Sequence, residues 1–253
     1  MSRNLALVTG GLHRVGAAIA SRLAREGYDL ALHGRSDGTP DAALMDALAA
    51  NGAEHALFLA DLSDPAAVSA LVPEVAARFG RAPDLLVNNA SLFGQGGWEA
   101  LTPESLTAHM QVNCLAPVRL AKAIVEAAPP DVMPAIVNIL DQRVLNPPAD
   151  QTAYTLSKQA LWQATRTLAV AFGARARVNA VAPGMTLPTQ DFTEGQMDRL
   201  AADMPLKRLP TPEQIADAVA YLAGAEATSG QTIFVDGGAH LTAYPRDFMF
   251  MER

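Results

Sequence analysis

Tyr154 and Lys158 stand four residues apart in Gln151-Thr152-Ala153-Tyr154-Thr155-Leu156-Ser157-Lys158, a spacing that puts both side chains on one face of a helix. Such a pair can deliver a proton. A phenol with an ordinary pKa of about 10 is a slow acid at neutral pH, and a neighbouring ammonium stabilises its phenolate. The same spacing also arises in helices without chemical purpose, so other groups have to agree. A second constellation is Thr9-Gly10-Gly11-Leu12-His13-Arg14-Val15-Gly16, an apolar run followed by a glycine turn and a helical pattern. Glycine lets main chain approach a ligand closely, and a helix start offers free N–H groups and a positive dipole end to a pyrophosphate. The turn departs from the G-x-G-x-x-G fingerprint of dinucleotide sites, and glycine turns also serve only to reverse a chain. After the next apolar run comes His33-Gly34-Arg35-Ser36. A cation and a hydroxyl there, where an acid would bind a free ribose 2′-hydroxyl, favour a 2′-phosphorylated dinucleotide, NADP(H). Asp37 is a competing acid one step further on.

These groups need elements to carry them. Apolar runs at Leu5–Val8, Leu30–His33, Ala56–Leu59, Leu85–Val87, Ala135–Ile139, Val178–Val181 and Ile233–Val235 alternate with helical patterns. The helices are expected at Val15–Glu26, Ala42–Asn51, Pro65–Phe79, one long stretch Ser105–Ala128, Thr152–Phe172 and Pro212–Leu222. Strands alternating with helices mean βαβ units, and near-continuous apolar strands mean a parallel sheet covered on both faces. The expected fold is a single α/β domain over residues 1–253, doubly wound in the Rossmann manner, with about seven parallel strands. Ligands of such sheets gather at the carboxyl ends of the strands, where the glycine turn and Arg35 lie.

The 253 residues are 50% hydrophobic and carry 19 basic against 26 acidic side chains, a formal charge of −7. That balance speaks against nucleic acid and for a small diffusible substrate. One cysteine, Cys114, excludes an intrachain disulfide and gives no support to a thiolate-rich metal site, and five scattered histidines suggest no metal. The opening Met1–Gly10 lacks a secretory pattern and no stretch reaches membrane-spanning length, so a cytoplasmic protein with no membrane contact is expected.

The glycine turn, Asn88-Asn89-Ala90-Ser91, Asn113, Tyr154-x-x-x-Lys158, Pro183-Gly184 and Val235-Asp236-Gly237-Gly238 occur together and in order. In this the chain resembles the short-chain dehydrogenase/reductase family over nearly its whole length. The resemblance implies that Gly10, His13, Arg14, Val15 and Gly16 cradle the cofactor, and that Asp61 and Leu62 border its adenine. Asn89 and Ala90 would line the cleft, and Asn113 would anchor a proton-relay water. Pro183, Gly184, Met185, Thr186 and Leu187 would meet the nicotinamide end, above a variable substrate loop at 184–210.

Two departures from the common family pattern concern the reacting site. Arg14 replaces a glycine of the cofactor loop, and Asp141 stands thirteen positions before Tyr154, where a serine is usual. Arg14 brings a planar cation to the pyrophosphate and toward the substrate. A serine hydroxyl donates a hydrogen bond to a ketone, whereas a carboxylate only accepts, so Asp141 suits a substrate presenting N–H groups. Its charge also opposes phenolate formation and keeps Tyr154 a protonated donor. Both substitutions, with Arg35-Ser36 and Asn89-Ala90-Ser91-x-Phe93, resemble the pteridine reductase and dihydromonapterin reductase branch, in which the aromatic matching Phe93 stacks the pterin on the nicotinamide. The expected activity is NADPH-dependent reduction of a pterin C=N bond. Arg14, Phe93, Asp141, Tyr154 and Met185 would touch the substrate, and Asp141, Tyr154, Lys158 and Asn113 would be catalytic. The rivals are a carbonyl or 3-oxoacyl reductase with an unusual Asp141, and an NADP-sensing protein without catalysis. Homotetramers are usual in such relatives, and the apolar tail 243–253 is expected to dock on a neighbouring subunit, with folding back on its own core as the alternative.

Overall fold

The computed structural model describes residues 3–36, 38–94, 96–188 and 192–251. Asp37 and the last two tail residues, Glu252 and Arg253, lie outside them. Seven strands form one parallel sheet: β1 Asn4–Thr9, β2 Tyr28–Gly34, β3 His55–Leu59, β4 Leu85–Asn88, β5 Ala135–Ile139, β6 Arg177–Pro183 and β7 Thr232–Val235. Their order is β3-β2-β1-β4-β5-β6-β7. The direction of winding reverses between β1 and β4, which opens a crevice at their carboxyl ends. The glycine turn leaves β1 and Asn89-Ala90 leaves β4 at that point.

Side chains alternate across the sheet and divide the core in two. From β1, Ala6 and Val8 pack with Ile19, Leu23, Ile215, Val219 and Leu222, the buried faces of α1 Arg14–Arg25 and α8 Pro212–Gly224. Leu5 and Leu7 face the opposite layer with Val68, Leu71, Leu120 and Ile124, from α3 Pro65–Phe79 and α5 Ala116–Ala127. The expectation of strands apolar on both faces holds for the central strands; edge strand β7 is only half-buried along its length. α2 Ala42–Ala50 and α6 Thr152–Phe172 complete the expected helices.

The structure corrects two elements. The stretch expected as one helix over Ser105–Ala128 starts earlier and is interrupted: α4 spans Pro103–Met110 behind a Thr102 capping box, and a π-helical turn over Gln111–Leu115 separates it from α5. Pro117 supplies the physical reason, because it has no N–H to offer the carbonyl of Asn113 one helical turn earlier. The second correction is a helix, α7 Gln196–Asp203, inside the stretch expected as loop. Leu200 and Met204 bury its inner face at a four-residue spacing, but the first position of that stripe is Gln196, a polar residue that hides the periodicity.

Candidate active site

One wall of the crevice is made of main chain. Gly10 turns with φ +60°, and a Cβ at Gly16 would come within 1.9 Å of the Gly10 oxygen and 2.7 Å of Asn89 Nδ2. Only glycine fits at 16, because β1, its turn and α1 meet there with no room for a side chain. Asn89 Nδ2 donates to the carbonyls of Thr9 and Gly10, each at 3.0 Å, and Thr9 Oγ1 accepts from the amides of Asn89 and Ala90, each at 3.0 Å. Buried His33 braces the same turn: its Nδ1 accepts from Gly10 N–H at 3.2 Å and its Nε2 donates to the Ala60 carbonyl at 2.9 Å. These partners require the neutral ring, and burial pushes the His33 pKa down in the same direction. The first amides of α1 have no partners within the helix, so the turn can receive a phosphate. Arg14 holds φ +54°, a left-handed conformation uncommon for a residue with a side chain. Its amide donates to Asp41 Oδ2 at 3.1 Å and its Nη2 comes 3.5 Å from the Leu187 carbonyl. Asp41 also pairs with His13 at 2.8 Å, which holds its carboxyl below the usual range.

The far end of this wall is open. Arg35 and Ser36 are exposed beyond β2, and exposed Asp61 sits across from them. The Asp61 carboxyl accepts from the Ser63 amide at 2.8 Å, which, ahead of the Arg35 charge, lowers its pKa. Leu62 is buried beside it.

The opposite wall is made of side chains. α6 carries Tyr154 and Lys158 on one face, both buried. Tyr154 donates its hydroxyl proton to Asp141 Oδ2 at 3.0 Å. Burial first, and the Asp141 charge second, raise the Tyr154 pKa well above 10, so the phenol holds its proton. Lys158 Nζ donates to the Ile139 carbonyl at 2.8 Å and lies 5.8 Å from the Tyr154 ring centre. Burial lowers its pKa to about 8 against the partial compensation of Asp141. Phe93 meets the Tyr154 ring edge-on at 4.9 Å, yet is 43% exposed and offers a face to the cleft. Asn113 is fully engaged: Nδ2 donates to the Leu92 carbonyl at 2.8 Å and Ser157 Oγ at 2.9 Å, while Oδ1 accepts from Leu92 N–H at 2.7 Å and Ser91 Oγ at 3.2 Å. Its side chain has no capacity left.

Arg14, Val15, Phe93, Asp141, Tyr154, Pro183, Gly184, Met185 and Thr186 thus surround one cleft of about 380 Å³, within the range of small-molecule sites. Arg35, Ser36, Asp61 and Leu62 stand apart from it, along the outer crevice. Leu187, expected with Met185 and Thr186 at the nicotinamide end, also lines this cleft; sequence reasoning did not single out Arg143, Gln151, Phe192 or Gln196 as site groups, since each gains its place from tertiary contacts. It left two placements open for the tail, on a neighbouring subunit or back on its own core; Phe248 and Met249 are buried by this chain and line the cleft. The apolar cover that the tail required is intramolecular at those two residues.

Residues 11–240 match the family described as Enoyl-(Acyl carrier protein) reductase. The FolM alternative dihydrofolate reductase 1 of Brucella canis, solved with NADP, is 38% identical, with a TM-score of 0.89 and 95% of each chain covered. Pteridine reductase 1 of Leishmania tarentolae is 31% identical over 94% of this chain and 96% of its own. The chain belongs to the short-chain dehydrogenase/reductase family. Within that family its similarity does not separate pterin from carbonyl chemistry: the granaticin polyketide synthase putative ketoacyl reductase 2 of Streptomyces violaceoruber is 34% identical over 94% of this chain and 96% of its own. The specificity of this short-chain oxidoreductase therefore lies in the make-up of its cleft. Among the described residues no cluster of His, Cys, Asp or Glu could hold a metal ion, and no helix is long and apolar enough to cross a membrane.

Proposed function

We propose that this protein is an NADPH-dependent reductase of a pterin-like heterocycle, acting on a ring C=N bond. The observation that carries the reading is the hydrogen bond from Tyr154 to Asp141 Oδ2 at the mouth of the cleft. A ketone reductase needs a second donor there; an anionic acceptor instead fits a substrate edge bearing N–H and amino groups. The residues present suit the cofactor, because the tight packing at Gly16 brings the start of α1 against the glycine turn, where the first amides of the helix have no partners within it and can receive a pyrophosphate. Bound there, the reduced nicotinamide supplies the hydride. Gly10, His13, Val15, Gly16, Asn89 and Ala90 hold the phosphates and the adjoining cleft, Arg35 and Ser36 the 2′-phosphate, and Asp61 and Leu62 the adenine. Pro183, Gly184 and Thr186 position the nicotinamide end.

Tyr154 gives its phenolic proton to the substrate nitrogen, and its raised pKa keeps it loaded across the working pH range. Lys158 orients the ribose, and Arg14 reaches from the cradle to the substrate. Phe93 and Met185 enclose the ring. With the Asn113 side chain saturated and Pro117 unable to donate to the Asn113 carbonyl, that carbonyl is the atom left to anchor a relay water. The protein is cytoplasmic and homotetrameric in this reading.

Steady-state assays with dihydropterins, dihydrofolate and 3-oxoacyl thioesters, each with NADPH, test it. Turnover of a dihydropterin, lost by about a hundredfold or more in Asp141→Ser, is expected; a missing hydrogen-bonded partner in a polar site has this order of effect. Ketone reduction that persists or rises in Asp141→Ser, with no pterin turnover in the parent, favours the carbonyl reductase. Tight NADPH binding without turnover of any of these favours the sensor.

A further inference from the structure

Arg143 follows Asp141 by two residues, in the 3-10 turn Gln142–Val144. Its side chain is 4% exposed, and four groups converge on it. Nε lies 3.2 Å from Asp141 Oδ1, off the line of a good hydrogen bond, so this contact is ionic. Nη1 donates to Gln151 Oε1 at 2.5 Å, and Gln151 holds the left-handed φ of +57° to present that oxygen. Nη2 donates to Asp247 Oδ2. The guanidinium carbon sits 4.9 Å from the Tyr154 ring centre. Burial opposes the charge, but Asp141 and Asp247 more than offset it and raise the pKa, so Arg143 is a permanent cation between two carboxylates.

Asp247 reaches this point from the C-terminal tail. Its Oδ1 accepts from the Met249 amide at 2.9 Å, and its own amide donates to Asp150 Oδ2 at 3.0 Å. Phe248 and Met249, next in the chain, form part of the cleft wall. Fully buried Gln196, at the start of α7, donates through Nε2 to the carbonyls of Phe248, Met249 and Met251 at 3.2, 3.3 and 2.6 Å. Tail, substrate loop and Asp141 corner are therefore joined through two polar side chains.

We propose that Arg143 and Asp247 form a buried latch by which the C-terminal tail sets the aim of Asp141 and the Phe248-Met249 wall, so that both are positioning residues for substrate and not for cofactor. The inference rests on Asp141 as the substrate-holding acceptor. With the Asp247 charge gone, the guanidinium has one carboxylate left, closes on Asp141 as a two-point pair and draws it from the substrate. The tail is freed at the same time.

Asp247→Asn, Arg143→Gln and the double variant test the latch in the NADPH-bound enzyme. Asp247→Asn is expected to raise the KM for dihydropterin by roughly tenfold or more, with NADPH affinity within about twofold, because it breaks a buried charge pair on the substrate side only. Amide exchange over 244–251 should accelerate, and the double variant should lose less than the two single losses combined. An unchanged KM with unchanged tail exchange overturns the proposal, as does an equal loss of NADPH affinity. Should Asp247→Asn fail to fold, Gln196→Ala loosens the tail without touching a charge; faster tail exchange with an unchanged KM then overturns it. Tail exchange needs no substrate, so a latch that responds in a protein without pterin turnover removes only the pterin reading.

Discussion

The glycine turn and the Asp141 corner face each other across one cleft but are built of different materials. The turn binds with main chain: two glycines, an asparagine amide clamped to two carbonyls, and a neutral buried histidine. It works by excluding side chains. The corner works with side-chain charge, as Asp141, Arg143, Lys158 and Asp247 gather around one buried phenol. A site of main chain can hold a shared cofactor with little choice among sequences, whereas one of charged side chains selects its substrate and needs distant parts of the chain to keep those charges paired. Cofactor and substrate binding should therefore fail separately.

The largest separation is expected from Gly16→Ala. Its Cβ would overlap the Gly10 carbonyl at 1.9 Å, forcing turn and helix apart, and NADPH affinity in a fluorescence titration should fall by about a hundredfold, equivalent to about 2.7 kcal/mol. Retained affinity would show that the cradle yields more than its packing allows.

A smaller effect sits where the two halves touch, at Lys158. Its folded pKa of about 8 lies below the ordinary 10.5 because of burial. The ammonium is present below about pH 8 and lost above it, so kcat/KM for NADPH should be level at lower pH and fall up to about tenfold per unit beyond it. Between about 8 and 10.5 the unfolded chain binds the extra proton, so this group adds stability as pH rises through that window. Lys158→Met should remove that slope from urea-unfolding curves. An activity profile without the descending limb would mean that the lysine charge plays no part in holding the ribose.

The smallest effect is expected from Phe93→Ala. Ring stacking contributes about 0.5–1.5 kcal/mol beyond burial, so the KM for dihydropterin should rise roughly two- to tenfold with NADPH affinity unchanged. A matching loss of NADPH affinity would assign Phe93 to the cofactor half.

Pro65–Phe79 and Thr152–Phe172 were legible to the residue, because an Asp-Pro start marks the first and an unbroken helical pattern the second. The break at Gln111–Leu115 was not, since Pro117 lies in the first turn of the second segment and reads equally well as part of one helix. α7 was hidden by Gln196, whose burial is acceptable because tail carbonyls receive its Nε2 and Thr193 donates to its Oε1.

The amino-acid sequence by itself determined the parallel sheet, the glycine turn at its crevice and the Tyr154–Lys158 face, because each follows from patterns within one or two neighbouring elements. Only the tertiary structure decided that the tail turns inward and that Arg143 is shared between Asp141 and Asp247. An ion pair spanning 104 residues leaves no mark in local spacing; it exists because folding buries one cation where two carboxylates converge.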